Sequence, residues 1–312
     1  MPQQLSRSEP GSTKTREAFP VRARAPGKII LSGEHFVVLG APAVAMAIDF
    51  YSEVEARPND KSGVRIGVDV PLRFLAKSDR ASRVIDSKSF LEPLRIAAEA
   101  TLDRIDRPTQ GVDLNVDCEI PIAAGLGSSA STTVAIISAV SKSLGGIYGG
   151  TIRFKRPSSV RPVKIQNGPL LLLCDTGIHH ETKTLVGSVV KKSKTEKGHF
   201  RDHLAQAREI SRGVLKALKT GDMEDLGSLM SLNHELLQRI GVSHPKLDRL
   251  VTAAKRAGAL GAKLTGAGGG GCIVAVCSNT KSREKIARTL RRDGGTPYRI
   301  SRDLHGVDAQ FT

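Results

Sequence analysis

Pro121-Ile122-Ala123-Ala124-Gly125-Leu126-Gly127-Ser128-Ser129-Ala130-Ser131 lies between an alternating run, Val112 to Ile120, and a long apolar run, Thr132 to Leu144. The first run reads as a strand and the second as a helix. Glycines give way to hydroxyl residues where the helix should open. Free backbone N–H groups, the positive end of a helix dipole and small side chains then converge on one point. That is the chemistry of an anion site, and the natural anion is a phosphate chain. No G-x-x-x-x-G-K-[ST] pattern is present, so this is not a Walker A loop. The same residues also read, more simply, as a Gly/Ser loop capping a helix. Two further stretches bear on that choice.

The chain has 312 residues, 39% of them hydrophobic, which is enough for two domains sharing a substantial core. Aromatics make up 4% and Trp is absent, so the core must be built from Val, Ile, Leu and Ala. Cys118, Cys174, Cys272 and Cys277 form no C-x-x-C pair. Buried, reduced thiols in a cytoplasmic protein are expected, without a zinc site or a disulfide framework. No apolar run reaches the length of a membrane span, so no membrane partner is expected. Lys and Arg number 47 against 31 Asp and Glu. The basic residues are scattered along the sequence with no stacking aromatics between them, so nucleic acid is not expected as the partner. A polyanionic substrate such as ATP is enough to use the positive field.

Residues 1–20 are polar and proline-containing and read as a disordered tail. Val21 to Val38 reads as strand, turn, strand, with Pro26-Gly27 as a hairpin or a bulge. Ala43 to Ile48 reads as a small-residue apolar segment, Phe50 to Arg57 alternates and reads as another strand, and Gly63 to Leu75 reads as strand and loop. Ser89 to Arg104 has the spacing of an amphipathic helix through Phe90, Leu91, Leu94, Ile96, Ala97, Ala100 and Leu102. The helix after the Gly/Ser loop should stop at Gly145-Gly146. Tyr148 to Phe154 reads as a strand. Pro157 to Asn167 is a basic connection that divides an N-terminal domain, 21–165, from a C-terminal domain, 166–312. In the latter, Pro169 to Cys174, Leu260 to Thr265, Cys272 to Cys277 and Thr296 to Ile300 read as strands. His203 to Lys219, Met223 to Ile240, Lys246 to Ala257 and Ser282 to Arg292 read as helices. Strands and helices mix in both halves, so the class is α+β.

Ala25-Pro26-Gly27-Lys28 places a cation in an apolar stretch, as a solvated turn residue or as a fixed charge beside a phosphoryl group. Gly33-Glu34-His35 interrupts an apolar pattern with an acid and an imidazole. Ser129 is either an N-cap or a hydroxyl ligand for Mg²⁺. Gly266-Ala267-Gly268-Gly269-Gly270-Gly271 lies between two apolar strands, where so much glycine is entropically costly unless a ligand or a tight chain crossing requires it.

Together, Pro-Gly-Lys near the start, Gly-Leu-Gly-Ser-Ser in the middle and the glycine run near the end resemble the three signature motifs of the GHMP kinases. Gly33 to Gly40, Asp175-Thr176-Gly177 and Leu260 to Gly268 are most similar to the mevalonate kinase branch. The resemblance implies a two-domain fold, with an N-terminal domain like ribosomal protein S5 domain 2 and a ferredoxin-like C-terminal domain. It implies ATP-dependent phosphorylation of the 5-hydroxyl of mevalonate, on the route to isoprenoids, with ATP and Mg²⁺. Carried over, Lys28 stabilises the reacting oxygens. Glu34, His35 and Thr265 lie on the mevalonate side. Pro121 to Ser131 wrap the ATP phosphates, with Ser129 on Mg²⁺, and Gly266 to Gly270 shape the phosphate side of the cleft. A homodimer is one assembly this reading allows.

The resemblance also implies a further segment, between the helix after the second motif and the Tyr-Gly-Gly strand, that carries a Mg²⁺-binding Glu and a catalytic Asp. Here Leu144-Gly145-Gly146-Ile147 runs straight into Tyr148-Gly149-Gly150, so roughly 40 residues are missing. No Asp or Glu occurs from Ile120 to Cys174. Asp175 is the nearest acid downstream and reads as a strand-end residue holding the next loop. Two alternatives therefore stand beside the kinase reading: a nucleotide-binding homologue with impaired catalysis, and a GHMP kinase for a related substrate such as phosphomevalonate.

Overall fold

The computed structural model describes residues 18–69, 87–121, 124–145, 163, 165, 168–178 and 182–312. Ile122, Ala123, the Tyr148 to Phe154 stretch and most of the tail and of the Pro157 to Asn167 connection lie outside the described residues.

Two sheets make up the fold. The first has the order β3 (Val64–Asp69), β4 (Gly111–Cys118), β2 (Val44–Asn59), β1 (Val21–Ser32), β9 (Asp308–Phe311). Its pairs are antiparallel except β3 with β4, which are joined through helix α1 (Ser87–Arg104). Helices α1 and α2 (Ser128–Ser143) pack on this sheet around Val54, Val116, Leu94, Ile136 and Val140, all buried. β1 shows why: its outward residues Arg22 and Arg24 alternate with the buried Val21, Ala23 and Ala25.

The second sheet has the order β6 (Gly261–Thr265), β7 (Cys272–Cys277), β5 (Leu170–Asp175), β8 (Thr296–Ile300), antiparallel throughout. Between its strands run α3 (Thr182–Thr195), α4 (Lys197–Thr220), α5 (Met223–Arg239), α6 (Pro245–Arg256) and α7 (Thr280–Arg292). The strand order 2-3-1-4 within this half is the ferredoxin-like arrangement. β6 and β7 are buried at every position, which suits a sheet covered on both faces.

Several local expectations need correction. Val21 to Val38 is not strand, turn, strand. β1 runs unbroken to Ser32, and Pro26-Gly27 is a bulge where pairing shifts from Pro26 opposite Tyr51 to Gly27 opposite Ile48. The strand expected at Phe50 to Arg57 is present but begins earlier, so that it and the apolar segment from Val44 to Ile48 form one strand, β2. Ile96 faces outward; α1 buries the expected Leu94 and Leu102, together with Ala98. α3 and β9 had no counterpart in the sequence reading. β9 returns the chain's end to the first sheet, beside β1. The four cysteines are free and buried, and burial pushes the Cys174 thiol up to about 12, with Asp175 adding to the shift. Among the described residues no helix is long and apolar enough to cross a membrane.

Candidate active site

A cavity of about 460 Å³ opens where the two sheets meet. Lys28, Glu34, His35, Gly125, Gly127, Ser128, Ser129, Ala130, Gly266 and Ala267 line it, and Ile30, Val37, Val38 and Val186 supply an apolar side. Residues from all three glycine-bearing motifs therefore share one wall system, of a size that suits a small-molecule site.

Lys28 is placed by the bulge just before it, which re-aims the strand. Its backbone N–H donates to Leu126 O at 2.9 Å, and its ammonium donates to Gly125 O at 2.9 Å. The side-chain stem lies where a Cβ on Gly127 would fall, 3.1 Å from Lys28 Cγ. Burial holds the ammonium below the usual lysine range. Glu34 opposes that shift and Lys263 adds to it.

α2 opens on Gly127, in the left-handed region at φ 81°, with no side-chain cap. The first-turn N–H groups are thus left to a ligand at the positive end of the helix. Ser129 and Ala130 are exposed at this end and Ser128 is buried. Ser131 is committed elsewhere: its hydroxyl donates to Ala25 O at 2.6 Å and ties the helix to β1.

After β1 the chain turns at Gly33 (φ 91°), where any Cβ would meet Pro42 O at 2.4 Å. Glu34 is buried. One oxygen pairs with the fully buried Lys263 ammonium and the other accepts from Asn233 Nδ2 at 3.0 Å. Lys263 also donates to Ile30 O at 3.2 Å. Burial lowers its pKa and the Glu34 carboxylate opposes that. His35 adopts φ 60°, uncommon for a residue other than glycine, and sits at the N-cap position of the short 3-10 turn Phe36–Leu39 without a side-chain capping bond. Its Nε2 lies 2.7 Å from Ala267 O. A carbonyl only accepts, so Nε2 carries the proton and Nδ1 is left as an acceptor. Burial lowers the pKa of this imidazole, with the Ala267 carbonyl and Glu34 opposing.

The glycine run does two jobs. Gly266 packs against the Gly125 backbone and, with Ala267, lines the cavity. Gly268, Gly269 and Gly270 do not line it. They are clamped from behind: Gly269 N–H donates to Val242 O at 2.8 Å, and a Cβ on Gly268 or Gly270 would strike Val242 O or Ile178 O. Thr265 is also behind the wall, where its hydroxyl accepts from Ile30 N–H at 2.9 Å and joins β6 to β1. Pro121, Ala124 and Leu126 are buried supports. Lys263, Asn233 and the apolar residues Val37, Val38 and Val186 were not singled out from sequence. A lysine inside the apolar strand Gly-Ala-Lys-Leu-Thr was the available signal for the first.

Residues 92–149 match the GHMP kinases N terminal domain, and residues 214–296 match the GHMP kinases C terminal family. The mevalonate kinase of Thermococcus gammatolerans is 34% identical over 320 positions, covering 89% of this chain and 94% of its own. That of Methanocaldococcus jannaschii is 31% identical, covering 86% and 95%. The structure of L. major mevalonate kinase in complex with R-mevalonate superposes with a TM-score of 0.71 at 26% identity, covering 91% and 96%. The Thermococcus match takes in 89% of 312 residues, about 278, so about 42 of its 320 positions face a gap in this chain. With relatives this similar across nearly their whole length, the chain belongs to the GHMP kinase family, among the mevalonate kinases.

Proposed function

We propose that the chain binds ATP with its phosphates over the first turn of α2 and the Gly125–Gly266 seam, and transfers the terminal phosphoryl group to the 5-hydroxyl of mevalonate. The observation that carries this reading is the shared cavity of Lys28, His35, Ser129 and Gly266. Uncapped N–H groups and Lys28 suit a polyphosphate. Ser129 is the hydroxyl that would hold Mg²⁺, which when bound would neutralise phosphate charge. Lys28 positions and neutralises the reacting oxygens. His35 and Glu34 shape the acceptor side, and the apolar residues Ile30, Val37, Val38 and Val186 limit water there. The acceptor is proposed from the relatives, one of which was crystallised with R-mevalonate.

Among the described lining residues Glu34 is the one carboxylate, and Lys263 occupies it. The unmatched positions of the Thermococcus relative total about 42, near the roughly 40 residues of the segment expected to carry the catalytic Asp and a metal-binding Glu. Phosphoryl transfer passes through a loose transition state and rests mainly on positioning and charge neutralisation. The proposed activity is therefore slow, lacking a base contribution of about 10²–10⁴-fold. A coupled ADP-release assay with ATP, Mg²⁺ and mevalonate, with products identified by phosphorus NMR, tests it. Formation of 5-phosphomevalonate supports the reading. Turnover of phosphomevalonate instead moves the acceptor, and nucleotide binding with no turnover leaves the catalytically impaired homologue.

A further inference from the structure

The second domain carries a surface that phosphoryl transfer does not use. From Pro245 to Arg302 the sequence holds thirteen Lys and Arg against three acidic residues, and one of the thirteen, Lys263, is buried behind the cavity. Scattered in sequence, the other twelve lie on few elements. α6 and α7 pack on each other and on the second sheet, and β8 pairs with β5 in that sheet. On α7 the exposed Lys281, Lys285, Arg288 and Arg292 recur at i, i+4, i+7 and i+11, one straight stripe opposite the buried Ile286 and Leu290. At a rise of about 1.5 Å per residue the stripe is about 16 Å long. Arg249, Lys255 and Arg256 are exposed on neighbouring α6.

Internal pairing does not account for this charge. Arg299 pairs with Glu284 at 2.9 Å and Arg292 lies 3.6 Å from Asp293. Arg291 and Arg292 also suit the negative end of the α7 dipole. Lys281, Lys285 and Arg288 are the part of the stripe that neither account covers. None of these residues lines the cavity.

We infer that the α6–α7 face docks the phosphate backbone of a double-stranded nucleic acid, without sequence selection. The row of exposed cations on α7, flanked by those of α6, matches closely spaced phosphates, and the arginines among them add forked hydrogen bonding. No large apolar side chain of this segment is among the exposed ones, so nothing is present to insert into a lipid bilayer. Tyr298, its one Trp, Phe or Tyr residue, packs edge-on against Phe50 and offers no stacking platform for single strands.

The test is titration of the full chain into labelled 20-base-pair DNA and RNA duplexes at 50 and 200 mM salt. Six phosphate contacts would weaken binding about a thousandfold across that range. The triple variant Lys281→Glu, Lys285→Glu, Arg288→Glu should lose at least tenfold in duplex affinity, with unchanged circular dichroism and unchanged binding of an ATP analogue. Reversal of Arg57 and Arg65, on the other sheet, should leave duplex binding as it was. Binding that ignores salt, survives the triple variant, or is tighter to anionic phosphatidylserine vesicles would overturn the inference. Comparison of the two duplexes tells whether DNA or RNA fits better.

Discussion

Gly125 and Gly266 touch backbone to backbone: a Cβ on Gly266 would lie 2.7 Å from Gly125 Cα. Both sit in the left-handed region, at φ 79° and 89°. This is the seam along which the Gly125-Leu126-Gly127 loop of one half meets the glycine run of the other. Gly266→Ala combines backbone strain with a clash that neither loop can relieve alone. It is expected to cost roughly 1–3 kcal/mol and to weaken binding of an ATP analogue. Gly40→Ala separates the two effects, because Gly40 has φ 84° and nothing within 4 Å of its Cβ position. Thermal melts should show the larger loss at Gly266. Equal losses would mean that conformation alone, and no contact, keeps glycine there.

That seam also shows what sequence could and could not reveal. The three motifs were legible because each departs locally from its apolar surroundings, and their convergence follows from the family resemblance. The clamp on Gly268 by Val242 was not legible, because Val242 sits in an unremarkable loop after α5. Lys263 and Asn233 were missed for the same reason: their role exists only through Glu34, some 200 residues away. β9 is short and polar, and only its pairing with β1 makes it a strand. The bulge at Pro26-Gly27 and a hairpin turn there have the same composition, and pairing with β2 decides between them.

Lys28 is held by Gly125 O and by the space over Gly127, so its ammonium needs no reorganisation when a phosphate arrives. Lys28→Met keeps the stem length and removes the charge. Turnover should fall about 10²–10³-fold, the loss typical of one fixed electrostatic contact. The Kd for an ATP analogue should rise less, because the α2 N–H groups remain. A variant that loses nucleotide binding and turnover in equal measure would make Lys28 a simple phosphate anchor.

Glu34 and Lys263 form a buried ion pair beside the cavity, joining the turn after β1 to β6. Lys263→Met leaves the carboxylate with Asn233 alone and should destabilise the fold by about 3–5 kcal/mol. Adding Glu34→Gln removes the stranded charge, so the double variant should be more stable than the Lys263 single variant. Urea unfolding of the two singles and the double closes the cycle. Additive losses would show that the two side chains act independently despite their contact.

Adding an acidic segment tests the proposal that turnover is slow for want of one. The acidic segment expected from the family resemblance, taken from the Thermococcus relative, would be inserted between Gly146 and Tyr148. If the chain lacks only its proton acceptor and metal carboxylate, ADP release should rise about 10²–10⁴-fold. The same insert with its acidic residues changed to amides should give no rise. A rise with both inserts would point to loop closure over the site as the missing function.

His234 ties the site to acid stability. Its Nδ1 accepts from Leu264 N–H at 3.3 Å, next to Lys263, and its Nε2 lies 3.2 Å from Asp248. Burial lowers its pKa to about 4, against the opposing pull of Asp248. In the unfolded chain the same group titrates near 6.5. Between those values the unfolded state binds a proton that the native state refuses, so stability falls as pH drops from about 6.5 to about 4 and levels off below. At about 1.4 kcal/mol per pKa unit the full loss is about 3 kcal/mol. The lowered pKa of His35 acts in the same direction, so the measurement is a difference. Urea midpoints of the wild type and of His234→Gln, which keeps an acceptor for Leu264 N–H, would be compared from pH 7 to pH 4. The variant should lose less stability across that window. Parallel curves would place the acid sensitivity at His35 or elsewhere.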